Sequence, residues 1–446
     1  MKKNITLIGM PFSGKSTIGE YISKKLNYQL IDLDKNIEEK YNMKLSEIVL
    51  MYGNEQFQKI EENAMLEING ENKIISTGGS VIYSEKGIEY LKSISKLIFL
   101  NFEINELLKR MNNITMEERA IVFKPGQTFE HLYDERIPLY LQCCCKEIKC
   151  DYLSVQKIGD KILSHKIVCK FGGSSLQSSD SMRKIYSIVK DKLNTTNLKI
   201  ILVFSASGKT TDKLLKAGKT AENFDIEYKN ILEDIFTNHI SFVDDLIDSE
   251  EIRVKLKSEL NKMFELIKEI CIGIYYLKDF SEKTSDYLLS FGERMSNLIM
   301  FNYLSESIAD RNVKLKDSTD FFITDYKYGN GQIIVSQTKR NLNNLDEDFD
   351  ILIFPGFIGK NESGFITTLG RGGGDYTAAL LGSFLNVDLV EIWTDVNGIM
   401  TSDPRIVKRT KSIDNISYNE MMELSHYGAN VIYTPTILPL YNSKIP

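Results

Sequence analysis

The sequence predicts an α/β protein made of two successive domains, each with a parallel sheet and a glycine-rich turn after its first strand. Three observations predict it. At 446 residues the chain exceeds what one hydrophobic core ordinarily organises. Short β-rich runs alternate with longer amphipathic stretches. The alternation then restarts at His165–Lys166, where a second strand, KIVCKFGG, opens on a glycine turn spaced unlike the first.

In the front domain, residues 1–163, NITLIG, KIISTGG and KLIFLNF read as strands, with STIGEYISKKL, LSEIVLMYG and EINELLKRM as helices between them. In the rear domain, residues 166–446, the strands are KIVCKFGG, KIILVFSAS, DILIFPGFIG, GFITTLG and VEIWTDV. Between about 212 and 305 the pattern is helical and charged, which suits either a helical layer or a substrate-side insertion. No Pro- or Ser-rich linker separates the halves, so the boundary rests on the restart alone.

Hydrophobic residues at 42%, charged residues at 26% and only 8 prolines mark a globular chain and exclude a disordered or fibrous one. The formal net charge is −6 and basic residues form no block that would track a phosphate backbone, so no nucleic-acid partner is expected. The opening MKKNITLIGM is too short in its apolar part for a secretion signal and runs straight into a glycine loop. No apolar run approaches the roughly 18 to 20 residues of a membrane span, so no membrane partner and a cytoplasmic location are expected. Cys143, Cys144, Cys145 and Cys150 crowd into LQCCCKEIKC, but adjacent thiols cannot all face one tetrahedral ion, and reduced, incidental cysteines are the expectation.

Gly9 to Ser16 reads GMPFSGKS, the G-x-x-x-x-G-K-S spacing, between a strand and a helix. Gly9 and Gly14 free backbone N–H groups to converge on phosphate oxygens, Lys15 reaches the outer phosphates, and the Ser16 hydroxyl suits Mg²⁺ at a helix N-terminus. The front domain is thus of the P-loop NTPase type, with ATP and Mg²⁺ as expected cofactors. The second strand ends in IDLD, where the two-residue period puts Asp32 and Asp34 on one side at the carboxyl end of the sheet. Such a pair suits one metal-linked role and one acceptor of a hydroxyl proton, or else a helix cap.

With STGG (Ser76–Gly79) and ERIPLY (Glu135–Tyr140), these residues resemble shikimate kinase over essentially all of residues 1–163. The resemblance implies that Asp32 helps hold Mg²⁺, Asp34 orients the acceptor hydroxyls, Gly78 and Gly79 touch the acceptor, and Arg136 grips its carboxylate. It further implies that Arg119 closes on the phosphates and that Arg110 sits by adenine. Two positions depart from the family pattern: Gln58 stands where an arginine shares the acceptor carboxylate, and Ser80 replaces a third glycine. A charge-assisted bond contributes about 1.5 to 3 kcal/mol, so losing one weakens a carboxylate acceptor roughly ten- to a hundredfold. The departures suggest altered specificity, with shikimate the first candidate and homoserine the second, because a neutral side chain tolerates an ammonium group.

In the rear domain, KFGGSS places Lys170 beside Gly172, Gly173 and Ser174, a cation and bare amides facing a transferring phosphoryl group. KFGGSS, SASGKTTD, SFGERMS, FPGFIG, TLGRGGGDYTA, WTDVNGIMTSDPR and ISYNEMMELSHYGANVIYTPT occur in order and resemble aspartate kinases from Lys166 to the end. The implied fold is the amino-acid kinase α/β sandwich. The resemblance implies that Lys170 spans the transferring phosphate and that Ser205, Thr211, Glu293, Phe357, Arg371 and Asp375 enclose aspartate. Arg371 suits the α-carboxylate because its planar fork bonds both oxygens. Thr394, Asp395 and Arg405 match the nucleotide stretch. Catalysis is thereby assigned to Lys15 and Asp34 in front and to Lys170 and Asp375 behind.

The rear domain departs too: Gly374 stands for a serine, Asn430 for a lysine near the nucleotide phosphates, and Met400 for an aromatic residue. After NSKIP the family normally adds a last strand and paired ACT domains, so the expectation is no ACT domains and no such feedback, or a shortened chain. Because those domains usually carry the dimer, homo-oligomerisation is left open. The competing expectation for the front domain is a nucleotide-binding sensor that phosphorylates nothing.

Overall fold

The computed structural model describes residues 4–111, 126–194, 198–395, 398–402, 407, 409–426 and 434–446. They fall into two compact units, Met1–Ser164 and His165–Pro446.

The front unit runs β1 (Asn4–Ile8), α1 (Lys15–Leu26), β2 (Gln29–Asp32), α2 (Leu33–Tyr41), α3 (Leu45–Leu66), β3 (Lys73–Ser76), α4 (Glu85–Ile94), β4 (Ser95–Asn101), α5 (Ile104–Met111), α6 (Phe129–Cys143), β5 (Lys146–Lys149) and α7 (Val155–Leu163). Its strands make one parallel sheet in the order β2-β3-β1-β4-β5. Leu7, Ile8, Ile74, Ile75 and Leu97–Leu100 are buried among Ile18 and Ile22 of α1, because central parallel strands are covered on both faces. Since β1 and β3 are neighbours, the turns that follow them emerge side by side at the carboxyl edge of the sheet, where open α/β folds bind ligands.

One local expectation fails here. Strand β2 stops at Asp32, which caps α2 by accepting from the Lys35 N–H at 3.4 Å, and Asp34 lies in the first helical turn. The two-residue period therefore does not relate the two carboxylates. The helix wins because an aspartate at the N-cap satisfies an otherwise orphaned amide, and a second one in the first turn suits the helix dipole. Farther on, α3 is bent where Gly53 takes a left-handed φ of 78°.

The rear unit runs β6 (His165–Phe171), α8 (Ser179–Leu193), β7 (Leu198–Phe204), α9 (Thr210–Glu222), α10 (Tyr228–Leu246), α11 (Glu250–Leu277), α12 (Glu282–Ser307), β8 (Val313–Leu315), β9 (Ile323–Thr324), α13 (Val335–Asn343), β10 (Ile351–Pro355), β11 (Ile358–Asn361), β12 (Ile366–Thr368), α14 (Gly373–Leu385), β13 (Leu389–Trp393), α15 (Tyr418–His426) and α16 (Thr434–Ser443). A parallel sheet, β13-β6-β7-β10-β8, is joined by a small mixed one, β12-β11-β9. Alternate side chains of the large sheet feed different cores. Ile167, Cys169 and Phe171 pack with α8 to α12, whereas Val168, Ile201 and Val203 pack with Ala378 and Leu381 of α14 and Leu440 of α16. The unit is thus an α/β sandwich, and the stretch from 212 to 305 is its helical layer, with Leu214, Leu232, Leu260 and Met295 all in the first of these cores.

Candidate functional site

In the front unit, Gly9 and Gly14 hold φ of 152° and 79°, and a Cβ on Gly9 would lie 2.9 Å from the Leu100 carbonyl oxygen. Only glycine fits that approach. The loop curls over Lys15, whose Nζ donates to Gly9 O and Met10 O, each at 2.9 Å. Ser16 Oγ lies 3.2 Å from Ser76 Oγ, and Ser76 is the β3 partner of Asp32. Ser16 and Asp32 therefore flank the same residue, as two hard oxygen ligands should if both serve one Mg²⁺. Arg110 stacks 4.1 Å from the Phe102 ring centre, with its Nη1 3.9 Å from a Cβ built on Gly14.

The residues expected to meet the acceptor gather around Gly78 and Gly79. A Cβ on Gly78 would lie 2.5 Å from Glu61 Oε1 and 2.9 Å from Asp34 Oδ1, and one on Gly79 would lie 2.9 Å from Arg136 Nη1. Asp34 thus reaches the glycine pair at Gly78 and Arg136 reaches it at Gly79. Arg136 is 1% exposed and donates through Nε to Tyr83 Oη at 3.2 Å. Gln58 lies on α3, half-buried, one turn before Glu61.

Three residues of this site escaped the sequence analysis. Glu61 is 3% exposed and accepts from Ser80 Oγ at 2.6 Å. Burial pushes its carboxyl up to about 8, with the Asp34 charge adding to the rise and the Ser80 bond and Arg136 opposing it. Its signal was present: Phe57, Ile60 and Ala64 trace a helical apolar stripe, and Glu61 stands inside it. Tyr83 carries no comparable mark. Tyr140 Oη lies 3.0 Å from Gly9 O and 2.6 Å from Gly79 O, joining the phosphate loop to the acceptor turn.

In the rear unit, Lys170 Nζ pairs with Asp375 Oδ1 at 2.6 Å, a charge contact whose angles fall outside those of a hydrogen bond. Both line a cavity of about 820 Å³ together with Ser205, Thr211, Glu293, Phe357 and Arg371. The fold thereby brings every predicted aspartate-enclosing residue to one cavity. Gly173 is crowded by backbone, its Cβ position being 2.8 Å from Gly208 O and 3.0 Å from Ala206 O. Gly172 precedes it, and Ser174 follows in the turn leading to α8. Phe357 is held at a left-handed φ of 70°, its N–H bonded to Thr377 Oγ1 at 3.1 Å. Such a strained backbone persists only where surrounding contacts over-determine it.

Glu293 is 3% exposed; its Oε1 accepts from the Ala206 N–H at 3.2 Å while Oε2 has no partner. Burial pushes its carboxyl up to about 8 against the Ala206 bond. The glycine at 374 has a physical account: a Cβ there would lie 3.1 Å from Ser205 Oγ and 3.3 Å from Lys170 Cε, so a serine would crowd both. Asp286, which no motif in the sequence marks, is 1% exposed. It accepts from the N–H groups of Gly329 and Thr368 at 2.8 and 2.9 Å and from Thr368 Oγ1 at 2.7 Å, pinning two cavity walls to α12.

Of the residues expected at the nucleotide, Thr394 and Asp395 follow β13, whose last residue Trp393 pairs with Phe171 next to Lys170. Thr394 Oγ1 donates to Asp395 Oδ1 at 3.0 Å. Arg119, Arg405 and Asn430 lie outside the described residues. Among the described residues, no cluster of three or more His, Cys, Asp or Glu side chains could hold a metal, and no helix is long and apolar enough to cross a membrane.

Residues 11–167 match the family model of shikimate kinase, and residues 165–446 match that of the amino acid kinase family. Aspartokinase 1, chloroplastic, of Arabidopsis thaliana is 32% identical over 294 residues, covering 63% of this chain and 48% of that protein. Lysine-sensitive aspartokinase 3 of Escherichia coli (strain K12) is 33% identical over 289 residues, covering 64% and 61%. The crystal structure of E. coli aspartokinase III in complex with aspartate and ADP is similar with a TM-score of 0.56 at 33% identity, covering 63% of this chain and 60% of that one. The chain therefore spans less than two thirds of the length of each of these relatives. Through residues 165–446 it belongs to the amino acid kinase family, and its front residues, 11–167, are similar to shikimate kinase.

Proposed function

We propose that the rear domain transfers the γ-phosphoryl group of ATP to the side-chain carboxylate of aspartate, and that the front domain transfers one to a hydroxyl of a small carboxylic acid. The observation that carries the proposal is the single cavity shared by Lys170, Asp375, Glu293 and Arg371. The relative solved with aspartate and ADP supports the choice of substrate.

At the rear, a carboxylate oxygen forms a bond to the γ-phosphorus as the bond to the bridging oxygen of ADP breaks. A carboxylate is ionised at neutral pH, so no general base is required, and the protein's task is positioning and charge neutralisation. Lys170, held by Asp375, neutralises the transferring group beside the amides of Gly172 and Gly173. Arg371 grips the α-carboxylate in a planar fork, and Glu293, with one oxygen unpartnered, receives the α-ammonium. Thr394, Asp395 and Arg405 take the nucleotide.

At the front, the acceptor hydroxyl must lose a proton, which Asp34 is positioned to accept across the Gly78–Gly79 turn. Arg136 binds the carboxylate, Lys15 follows the transferring phosphoryl group, and Arg110 and Arg119 serve the nucleotide. Ser16 and Asp32 would hold Mg²⁺, which supplies charge neutralisation for the phosphates. Shikimate is the first acceptor to test, on the resemblance to shikimate kinase, and homoserine the second, since the neutral Gln58 tolerates an ammonium group. Coupled ADP-release assays of the full chain with aspartate, shikimate and homoserine test the proposal. Turnover with aspartate and with one hydroxy acid is expected; no turnover with aspartate would overturn the rear assignment. Turnover with aspartate alone, altered by Lys15→Ala, would make the front domain a nucleotide sensor.

A further inference from the structure

A second polar cavity in the rear unit, of about 440 Å³, lies apart from the one that holds Lys170 and is lined by different residues. Two helix starts open onto it. Ser178, Ser179 and Asp180 begin α8, of 15 residues, and Ser207 to Thr210 lead into α9, of 13 residues and without a side-chain cap. Ser178 Oγ caps the Ser181 N–H of α8, and the Gly208 and Thr210 N–H groups bond Gly173 O and Ser207 O. This leaves the N–H groups of Ser179, Asp180 and Lys209 without a partner among the described residues, beside the positive poles of two helix dipoles.

Two buried polar side chains on the lining lack partners. Ser207 is 5% exposed and its Oγ bonds nothing; His239 is 1% exposed and its Nε2 bonds nothing. The histidine tautomer follows from its other nitrogen. Nδ1 lies 2.7 Å from Ile235 O, and a carbonyl only accepts, so Nδ1 carries the proton and Nε2 presents a bare lone pair. Burial, with the Lys213 ammonium adding to it, holds the ring below its ordinary pKa and hence neutral at pH 8.

The charges around the cavity nearly cancel. Arg183, Lys209 and Lys213 face Asp180 and Asp245, and Asp234 pairs with Lys213 from outside the lining. Arg183 bonds Asp180 at 2.9 Å, and Asp245 accepts from Ser179 Oγ at 2.6 Å. Lys209 is exposed and makes no ion pair among the described residues. The attraction for an anion thus comes from the two helix starts and Lys209, while the lone pair on His239 demands a donor. An occupant must therefore be an oxyanion that still carries an O–H group.

We propose that this cavity between the starts of α8 and α9 is a binding site for hydrogen phosphate, with His239 accepting its O–H and Ser207, the helix-start amides and Lys209 meeting its charged oxygens. Sulfate offers no proton at pH 8, and a phosphomonoester, with a second pKa of about 6, has lost its own. Hydrogen phosphate alone of the three keeps one.

Isothermal titration of inorganic phosphate into the full chain at pH 8 tests this, after a non-hydrolysable ATP analogue with magnesium has filled the nucleotide sites. One additional site is expected for phosphate that neither sulfate nor methyl phosphate fills. His239→Leu should abolish it, and circular dichroism reports whether that variant folds. Lys209→Gln, at an exposed lining position without an ion pair among the described residues, should weaken it about tenfold without disturbing the core. Equal binding of sulfate and phosphate, no binding of phosphate, or unchanged phosphate affinity in folded His239→Leu or in Lys209→Gln would each overturn the assignment.

Discussion

Glu293 should give up a proton when aspartate binds. Its carboxyl is pushed up to about 8 by burial, with one oxygen unpartnered. At pH 7 a group of that pKa is protonated in about 0.9 of the molecules, and at pH 9 in about 0.1. An α-ammonium arriving at the unpartnered oxygen supplies the opposite charge that burial withholds and favours the ionised form. Binding is then coupled to release of about 0.9 proton at pH 7, at a cost of about 1.4 kcal/mol, or roughly tenfold in affinity, that vanishes above pH 8. Calorimetric titration of aspartate in buffers of different ionisation enthalpy measures this directly. The slope of observed enthalpy against buffer enthalpy should be close to one proton at pH 7 and close to zero at pH 9. In Glu293→Gln it should be near zero at both. A flat dependence for the native chain at pH 7 would refute the argument, because it would mean that the glutamate is already charged or never meets the ammonium.

Restoring a cation by Gln58→Arg, one turn before Glu61, should raise kcat/KM for shikimate roughly ten- to a hundredfold and should not help homoserine, as measured by coupled ADP release. Asp286→Asn replaces a charged acceptor of three bonds with a partial one and should cost about 1.5 to 3 kcal/mol, seen in denaturant melts of the rear unit's signal, with a raised KM for aspartate. Glu61→Gln should stabilise the front unit in a pH-dependent way. The folded carboxyl titrates near 8 against an ordinary 4.5, so the native chain loses stability as pH rises from about 4.5 to 8, and the variant's advantage in calorimetric melting should be small at pH 5 and largest at pH 8 and above.

The parts of the site that announced themselves in the sequence are those whose chemistry is local. The phosphate loop is legible because glycine spacing, lysine and serine lie within eight consecutive residues. The rear cavity is legible because KFGGSS, SASGKTT, GERMS and GRGGGD each carry a distinctive glycine or charge pattern. What could not be read depends on tertiary distance. The Asp32–Asp34 relation was misjudged because a cap at Asp32 ended the strand two residues early. Glu61 was overlooked although its place in an apolar helical stripe was visible, and Asp286 because its partners lie 43 and 82 positions away in the chain. The crowding at Gly374 by Ser205 and Lys170 is likewise a fact of packing that no spacing encodes.

The phenol of Tyr140, set between the carbonyl oxygens of Gly9 and Gly79, has a mechanical consequence. A hydroxyl has one hydrogen, so it can donate to only one of these oxygens at a time, and the other must face it across a lone pair. The loop at Gly9 and the turn at Gly79 are therefore coupled through a shared bolt that can be thrown either way. A shift of the Gly9 loop alters how firmly the Gly79 turn is held, and the reverse follows by the same hydrogen. Small chemical differences in what sits on one side can thus be felt on the other without any movement of the sheet beneath.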